Sequence, residues 1–561
     1  MTNSDIADLI KLYADLYELH DGNSFKIKSF QVAAFRIDKL SIPLFGKNVE
    51  ELEQVDGIGK SLSGKIYEIT TTGSFAELED LLSKTPEGVL QMMKIKGIGP
   101  KKVAHLWKEV GIESIGELLY ACHENRVAQA KGFGLKTQQN IIKQIEFMFA
   151  SANKFHYAKL EQPANELLEK LNSYFGSADE GGLIIESSFC GELRRKCEIL
   201  QQIDLIVAVS DIEEFKNAFL SSDLLQGIKV DGDFIEGKVN ETIPVKIFIS
   251  EENEFVKNLF LQTGSVNHIE KLLTFNFQSP TSEQKIYQSL NMQFVEPELR
   301  EGTFELEKAK ENELPKLIEL SDLKGILHNH STYSDGSNTL EEMAVYCKEL
   351  GYEYLGICDH SKAAFYANGM KEETILKQHT EIDSLNKKLF PFKVFKGVES
   401  DILNDGSLDY SNEVLSSFDF IVASVHSNLK MTEEKAMNRL IKAIENPYTT
   451  ILGHPTGRLL LIREGYPVDH KKMIDACAAN GVVIEINAHP YRLDLDWRWI
   501  DYALNKNVKL SINPDAHERA GYHDMYYGTC VARKGGLYKE MCLNAMNLEE
   551  IAHYFSQQKT K

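Results

Sequence analysis

The spacing of apolar residues changes along the chain, and each change marks a different kind of architecture. Over residues 1–150 they recur at helical intervals, as in Ile6-Ala7-Leu9-Ile10-Leu12-Tyr13 and Phe30-Val32-Ala33-Phe35-Leu40, which predicts short helices. From about residue 155 short apolar runs alternate with helical patterns, and 182–185, 203–207 and 245–248 read as strands. A charged, helix-favouring stretch over 306–313 then leads to Pro315 and marks a join. Beyond it the apolar runs fall at 325–327, 354–358, 394–398, 420–425, 449–452, 482–486 and 510–512, with helical patterns between. Regular alternation of this kind predicts parallel strands closed into a barrel, whose C-terminal strand ends meet at one mouth.

Between the N-terminal helices one pattern recurs: Val55-Asp56-Gly57-Ile58-Gly59-Lys60, Ile95-Lys96-Gly97-Ile98-Gly99-Pro100 and, more loosely, Ala130-Lys131-Gly132-Phe133-Gly134-Leu135. Two glycines around one apolar residue let the chain turn through positive φ and bring the N–H groups of the next helix start close to a phosphate. One copy would serve equally as a plain link between packed helices; three copies make a helix-hairpin-helix signature. Gly57, Gly59, Lys60, Gly97, Gly99, Lys101 and Lys102 are the candidate DNA contacts, with Lys94 and Lys96 beside them. Such hairpins grip the backbone without reading bases, so the expected partner is DNA of little sequence preference.

Nearly every barrel run is followed at once by a side chain able to bind a metal: His328, His330 and Asp335, then His360, Glu399, His426, His454, and last Asp515 with His517. One histidine after a strand is more often a hydrogen-bonded core residue than a ligand, but eleven of the sixteen histidines lie beyond residue 323 and six follow apolar runs directly. Imidazole and carboxylate without thiolate suit Zn²⁺, Mn²⁺ or Fe, with Mg²⁺ as a further candidate. Arg458 reads as a phosphate anchor or a surface ion pair, and His379, His470, His489, His523 and His553 as structural or surface groups, His489 following an apolar run within reach of the mouth.

Two resemblances follow from these residues. The hairpins together with Gly191-Glu192-Leu193-Arg194-Arg195-Lys196, Gln202-Ile203-Asp204-Leu205-Ile206, Thr263-Gly264-Ser265-Val266-Asn267-His268 and the run 293–302 resemble the family X DNA polymerases, of the nucleotidyltransferase group. The segments around His328, His360, Glu399, His426, His454 and Asp515 resemble the polymerase-and-histidinol-phosphatase (PHP) domain, which bacterial members of that family carry at the C-terminus. The resemblance implies a multidomain chain: helix-hairpin-helix domain 1–80, helical fingers 81–150, an α/β nucleotidyltransferase-like palm 151–245, thumb 246–305, linker 306–322 and a distorted (β/α)7 PHP barrel 323–561. It also implies three metals, one on His328, His330, Glu399 and Asp515, one on Asp335, His360 and His517, and one on His426, His454 and Glu399, with Glu399, Asp515 and Arg458 in catalytic roles.

The palm departs from its family pattern. Two-metal nucleotidyl transfer needs three carboxylates, and here only Asp204 remains, Gln202 and Lys246 standing at the other two positions. Glu192 follows Gly191 where the family has a serine for the triphosphate, while Arg194, Gly264 and Ser265 are retained. This is a degenerate polymerase site. Lys65, where eukaryotic relatives place a Schiff-base lysine, reads as an exposed phosphate-contacting or solubilising residue.

Composition narrows the partners. The net charge of −21 disfavours unspecific adhesion to nucleic acid, yet residues 1–150 carry 18 Lys+Arg against 20 Asp+Glu, so nearly all the excess lies beyond them. No long apolar stretch and no leader pattern occurs, and eight scattered cysteines without CxxC pairs read as buried reduced thiols, which points to a cytoplasmic protein without membrane contact, taken as a monomer. The expected function is a metal-dependent 3′-to-5′ exonuclease acting on gapped, nicked or single-stranded DNA ends, with polymerase activity lost. An active repair polymerase with an exonuclease, a small-molecule phosphomonoesterase of the histidinol-phosphatase type, and a non-catalytic scaffold are the alternatives.

Overall fold

The computed structural model describes residues 1–559 apart from Ser41, Asp56, Lys96, 151–153, 177–181, 273–279, Ile462 and the side chains of 147, 149 and 150. Asp56 and Lys96, named above, therefore lie outside the described residues. The chain forms two compact units, Met1–Ile145 and Glu146–Lys561.

The first unit is helical. Its opening helix, Asn3–Leu19, begins with a capping box between Thr2 and Asp5 and buries Ile6, Ile10, Leu16 and Leu19. The second, Ser24–Lys39, buries Ile27, Ala33, Ala34 and Ile37, while Val32 and Phe35 are 51% and 68% exposed. Half of the apolar face expected there thus points to solvent, because the small alanines are what fit against the neighbouring helix. Each hairpin turns at a glycine of positive φ, Gly57, Gly97 and Gly132 at +86°, +97° and +84°. The same bond closes each turn, from Ile58 N to Val55 O, Ile98 N to Ile95 O and Phe133 N to Ala130 O.

In the second unit, a mixed five-stranded sheet comes first: β1 (Ile184–Phe189), β2 (Ile203–Val209), β3 (Gln226–Asp231), β4 (Phe234–Val239) and β5 (Ile243–Ser250), in the order β1-β2-β5-β4-β3. Only β2 and β5 pair in parallel, and their register sets Asp204 beside Lys246. Strand β5 runs across the boundary expected at 245, so the sheet ends five residues later. The stretch 306–322, expected as the linker, packs against its neighbours. Leu306, Ala309, Leu314 and Leu317 are buried in one cluster with Phe260, Ile286 and Tyr287, since the apolar side of this charged segment needs a surface to cover.

The barrel strands are β6 (Gly325–Ile326), β7 (Tyr354–Ile357), β8 (Lys393–Asp401), β9 (Phe420–Ser424), β10 (Ile451–Leu452), β11 (Val483–Asn487) and β12 (Leu510–Asn513). All pair in parallel, in sequential order. The gap between β12 and β6 is bridged just past the strand ends, where Asp515 N donates to His328 O and His330 N to Ala516 O. Closure therefore falls on ligand-bearing residues themselves. The segments around the sheet and the barrel share buried polar contacts: Lys534, 1% exposed, reaches the carbonyls of Arg195 and Glu298 and the Glu301 carboxylate, and Trp497 Nε1 donates to Glu198.

Candidate metal centre

Eight of the nine donors predicted in the barrel group at its mouth into three clusters, in each of which the ligand atoms lie within 4.8 Å of one another: His328, His330, Glu399 and Asp515; His330, Asp335, His360 and His517; and His360, Glu399 and His426. The first set coincides with the four residues expected for one metal, and the second adds His330 to the expected three. The third holds His360 where His454 was expected, although His454 Nε2 and His426 Nε2 both lie 3.0 Å from Glu399 Oε1. Glu399 is the hub, with ring nitrogens of His328, His330 and His360 also 3.3, 3.6 and 2.9 Å from its oxygens. His489 joins none of the clusters.

The strand ends explain the convergence. Glu399 lies inside β8, the longest barrel strand, and the other donors sit two to four residues past their strand ends, except Asp335, which is carried on the loop nine residues beyond β6. Two of them, His454 and Asp515, hold positive φ, +22° and +52°. Backbone strain of this kind costs about 1–3 kcal/mol per residue, and here it turns the side chains inward.

Several further residues set the geometry, and sequence reasoning passed over them. Glu485, fully buried, accepts from His328 Nδ1 at 2.7 Å and from the His454 backbone N–H at 2.8 Å, which leaves His328 Nε2 facing the cluster. Asp401 does the same for His426 Nδ1 at 2.5 Å. Asp359 accepts from the N–H groups of Ser331 and Ser334 and from both hydroxyls, which ties down the loop carrying Asp335. The signal was faint but present: Glu485 is a lone carboxylate inside an apolar strand, which burial tolerates only with partners.

The electrostatics fit a cation. Burial alone would raise the Glu399 and Asp515 carboxyls, but the imidazoles around them, led by His426 and His328 respectively, hold both well below the usual carboxylate range. Burial and then the neighbouring His517 and His360 push His330 down to about 4, which keeps it a neutral lone-pair donor at pH 7. Among the described residues, His328 Nε2, Asp335 Oδ2 and Glu399 Oε2 are buried without a hydrogen bond. Lone pairs crowded together and unsatisfied are what a divalent cation relieves.

Arg458 is corrected by the structure. Its guanidinium donates to the carbonyls of Arg492 and Leu493 and pairs with Asp496, so three of its five N–H groups brace the 492–496 turn and it takes the ion-pair role of the two read for it. The cation beside the donors is Arg492, 6% exposed, with Nε 3.8 Å from Asp515 Oδ2.

The middle sheet arranges its own predicted residues differently, each meeting a protein partner. Gln202 Nε2 donates to Asp204 Oδ1 at 2.7 Å, and Gly191, at φ +60°, approaches so closely that a Cβ there would lie 2.3 Å from Asp204 Oδ2. Lys246 lies 3.4 Å from Glu236 and 3.6 Å from the centre of the Phe234 ring. Arg194 holds Glu283 through both oxygens and also donates to Thr263. Gly264 ends one helix, and the Ser265 side chain caps the next by accepting from His268 N. In the first unit, Gly59 and Gly99 cap helices Lys60–Thr72 and Pro100–Lys108 with open space above them, and Lys60 and Lys101 are exposed. Lys102 rests over Phe133. Lys65 is not the exposed lysine expected: it is buried, paired with Glu77 and flanked by the Tyr13 and Phe75 rings.

A parallel barrel with this donor set at its mouth defines the class of metal-dependent phosphoesterases built on the PHP domain, and residues 327–489 match the PHP domain family. Residues 1–75 match a helix-hairpin-helix domain and 89–146 a SAM-like helix-hairpin-helix tandem. The "DNA polymerase/3'-5' exonuclease PolX" of Bacillus subtilis (strain 168) is 32% identical over 99% of this chain and 100% of its own length, and the chain belongs to that PolX family of family X polymerases with a PHP domain. A probable phosphatase of Thermoanaerobacter sp. (strain X514) is 25% identical over 43% of this chain and 98% of its own length. Another, of Acetivibrio thermocellus, is 30% identical over 29% of this chain and 65% of its own length.

Proposed function

We propose that this chain is a DNA-processing phosphodiesterase that removes nucleotides in the 3′-to-5′ direction at gapped, nicked or single-stranded ends, and that its palm no longer extends primers. The observation that carries the reading is the meeting of eight clustered imidazole and carboxylate donors, with His454 3.0 Å from the shared Glu399, at one barrel mouth. His328, His330, Glu399 and Asp515 would hold one divalent ion, Asp335, His360 and His517 a second, and His426, His454 and Glu399 a third, with Mn²⁺, Zn²⁺ or Fe the candidates and Mg²⁺ possible. Bound there, such ions supply Lewis acidity, which lowers the pKa of a coordinated water and takes up charge on phosphate oxygens. Glu399 sets the spacing of the histidines around it, Glu485 and Asp401 fix ring orientation, and Arg492 adds a cation for the phosphate. The hairpins, with their open glycine turns and exposed Lys60, Lys94 and Lys101, are suited to the strand backbone. The family and the absence of any helix long and apolar enough to cross a membrane among the described residues fit action on cellular DNA in the cytoplasm.

Loss of polymerisation rests on chemistry at the middle sheet. One carboxylate beside an amide and an ammonium does not hold two Mg²⁺ ions, and Arg194 is already engaged by Glu283. The B. subtilis relative is named a polymerase as well as an exonuclease, which keeps primer extension as the second reading. Oligonucleotides labelled at either end, incubated with Mn²⁺ with and without dNTPs, separate the two. Progressive shortening of the 5′-labelled strand without extension is expected; extension overturns the palm's inactivity, and release of phosphate from small monoesters alone overturns the nuclease.

A further inference from the structure

Phe365 is 80% exposed, among the largest exposures of any apolar side chain, and it sits on the loop that follows the ligand His360. That loop is fastened at both ends. Met370 N donates to His360 O at 2.8 Å, Ala363 N to Asp409 Oδ2 at 2.6 Å, and Ser361 and Met370 form an isolated bridge. From the metal-binding ring outward, the aromatic groups form steps: His360 to Tyr366 at 6.4 Å between ring centres, then Tyr366 to Phe365 at 5.9 Å. A fixed loop holding a large apolar ring in water, two rings from the donors, is a costly arrangement for a fold that has a core to put it in.

Resting on the reading of the mouth as a DNA phosphodiesterase, we propose that Phe365, braced by Tyr366, is a stacking platform for a base near the strand end whose phosphodiester lies at the donors. Every base has a π-face, so stacking on a ring is tolerant of sequence, which matches hairpins that grip the backbone alone. It also separates an enzyme for polynucleotide ends from a small-ester phosphatase built on the same barrel, since only the former has bases to hold. The barrel carries its own control. Phe390, 82% exposed, follows helix Glu372–Leu389 and precedes β8, at the end of the barrel opposite the donors.

The test compares wild type, Phe365→Ala, Phe365→Trp and Phe390→Ala on two substrates under Mn²⁺: an ordinary oligonucleotide, and one whose three 3′-terminal residues are abasic tetrahydrofuran units. Phe365→Ala is expected to raise KM on the ordinary end about tenfold with kcat unchanged, and to leave the abasic substrate unaffected. Phe365→Trp and Phe390→Ala should match wild type on both. An unchanged KM for Phe365→Ala, or an equal loss on both substrates, overturns the stacking role while the nuclease reading stands. A wild-type protein that degrades neither oligonucleotide overturns both together.

Discussion

The barrel mouth and the middle sheet each set charged residues on adjoining parallel strands, yet one presents a donor set fit for cations and the other has closed on itself. At the mouth, buried carboxylates and imidazoles crowd within 4.8 Å with hydrogen-bonding capacity left over. In the sheet, Gln202 satisfies Asp204, Glu236 and Phe234 take Lys246, and Glu283 takes Arg194. The difference teaches that donor count alone does not make a centre; what matters is whether the protein already supplies the partners. An unsatisfied buried charge is tolerated only where a ligand completes it.

The comparison breaks most sharply at Glu399. Glu399→Gln removes the charge that five histidines face, and DNA hydrolysis should fall to the level of the chelator-treated protein while gel-shift binding of DNA persists; hydrolysis near wild type would mean that the mouth is not where the chemistry occurs. Glu485→Gln acts one layer out, by loosening His328, and should weaken metal affinity or activity about 10- to 100-fold, measured by metal titration of the chelated protein.

Arg458 offers a smaller, different effect. Because its bonds go to the 492–496 turn, Arg458→Ala should cost about 1–3 kcal/mol in denaturant unfolding and leave KM for DNA nearly unchanged. A large rise in KM with unchanged stability would restore the phosphate role.

The finest test reads pH. Burial raises the Asp204 carboxyl to about 6, Gln202 opposing and Glu192 adding to it. The folded state then binds a proton more tightly than the unfolded one, whose carboxyl keeps its ordinary value. Stability from this group is thus full below about pH 4 and is lost as pH rises through 6. Asp204→Asn should therefore gain on wild type in unfolding free energy between pH 4 and pH 7.5. A flat difference would mean that Asp204 is compensated, as a metal-competent carboxylate would be.

Much of the barrel was legible beforehand because burial on both faces of a parallel strand writes continuous apolar runs, and because nearly every run is followed at once by a candidate ligand. The hairpins were legible for a similar local reason, since positive φ demands glycine. The reading failed where partners come from afar. Arg458 read as an anchor or an ion pair until Asp496 and two carbonyls stood beside it, Lys65 looked exposed until Glu77 and two rings enclosed it, and nothing in 306–322 foretold that Phe260 and Tyr287 would lie against its apolar side.

By itself the sequence determined which residue types stand at strand ends and turns, because period, φ preference and donor chemistry are local properties of the chain. Only the tertiary structure decided which donors share an ion site, that Glu399 is their hub, and which charges of the middle sheet neutralise one another. Those outcomes depend on distances between residues far apart in the chain, such as Glu399 and His454 or Arg194 and Glu283, and packing alone fixes them.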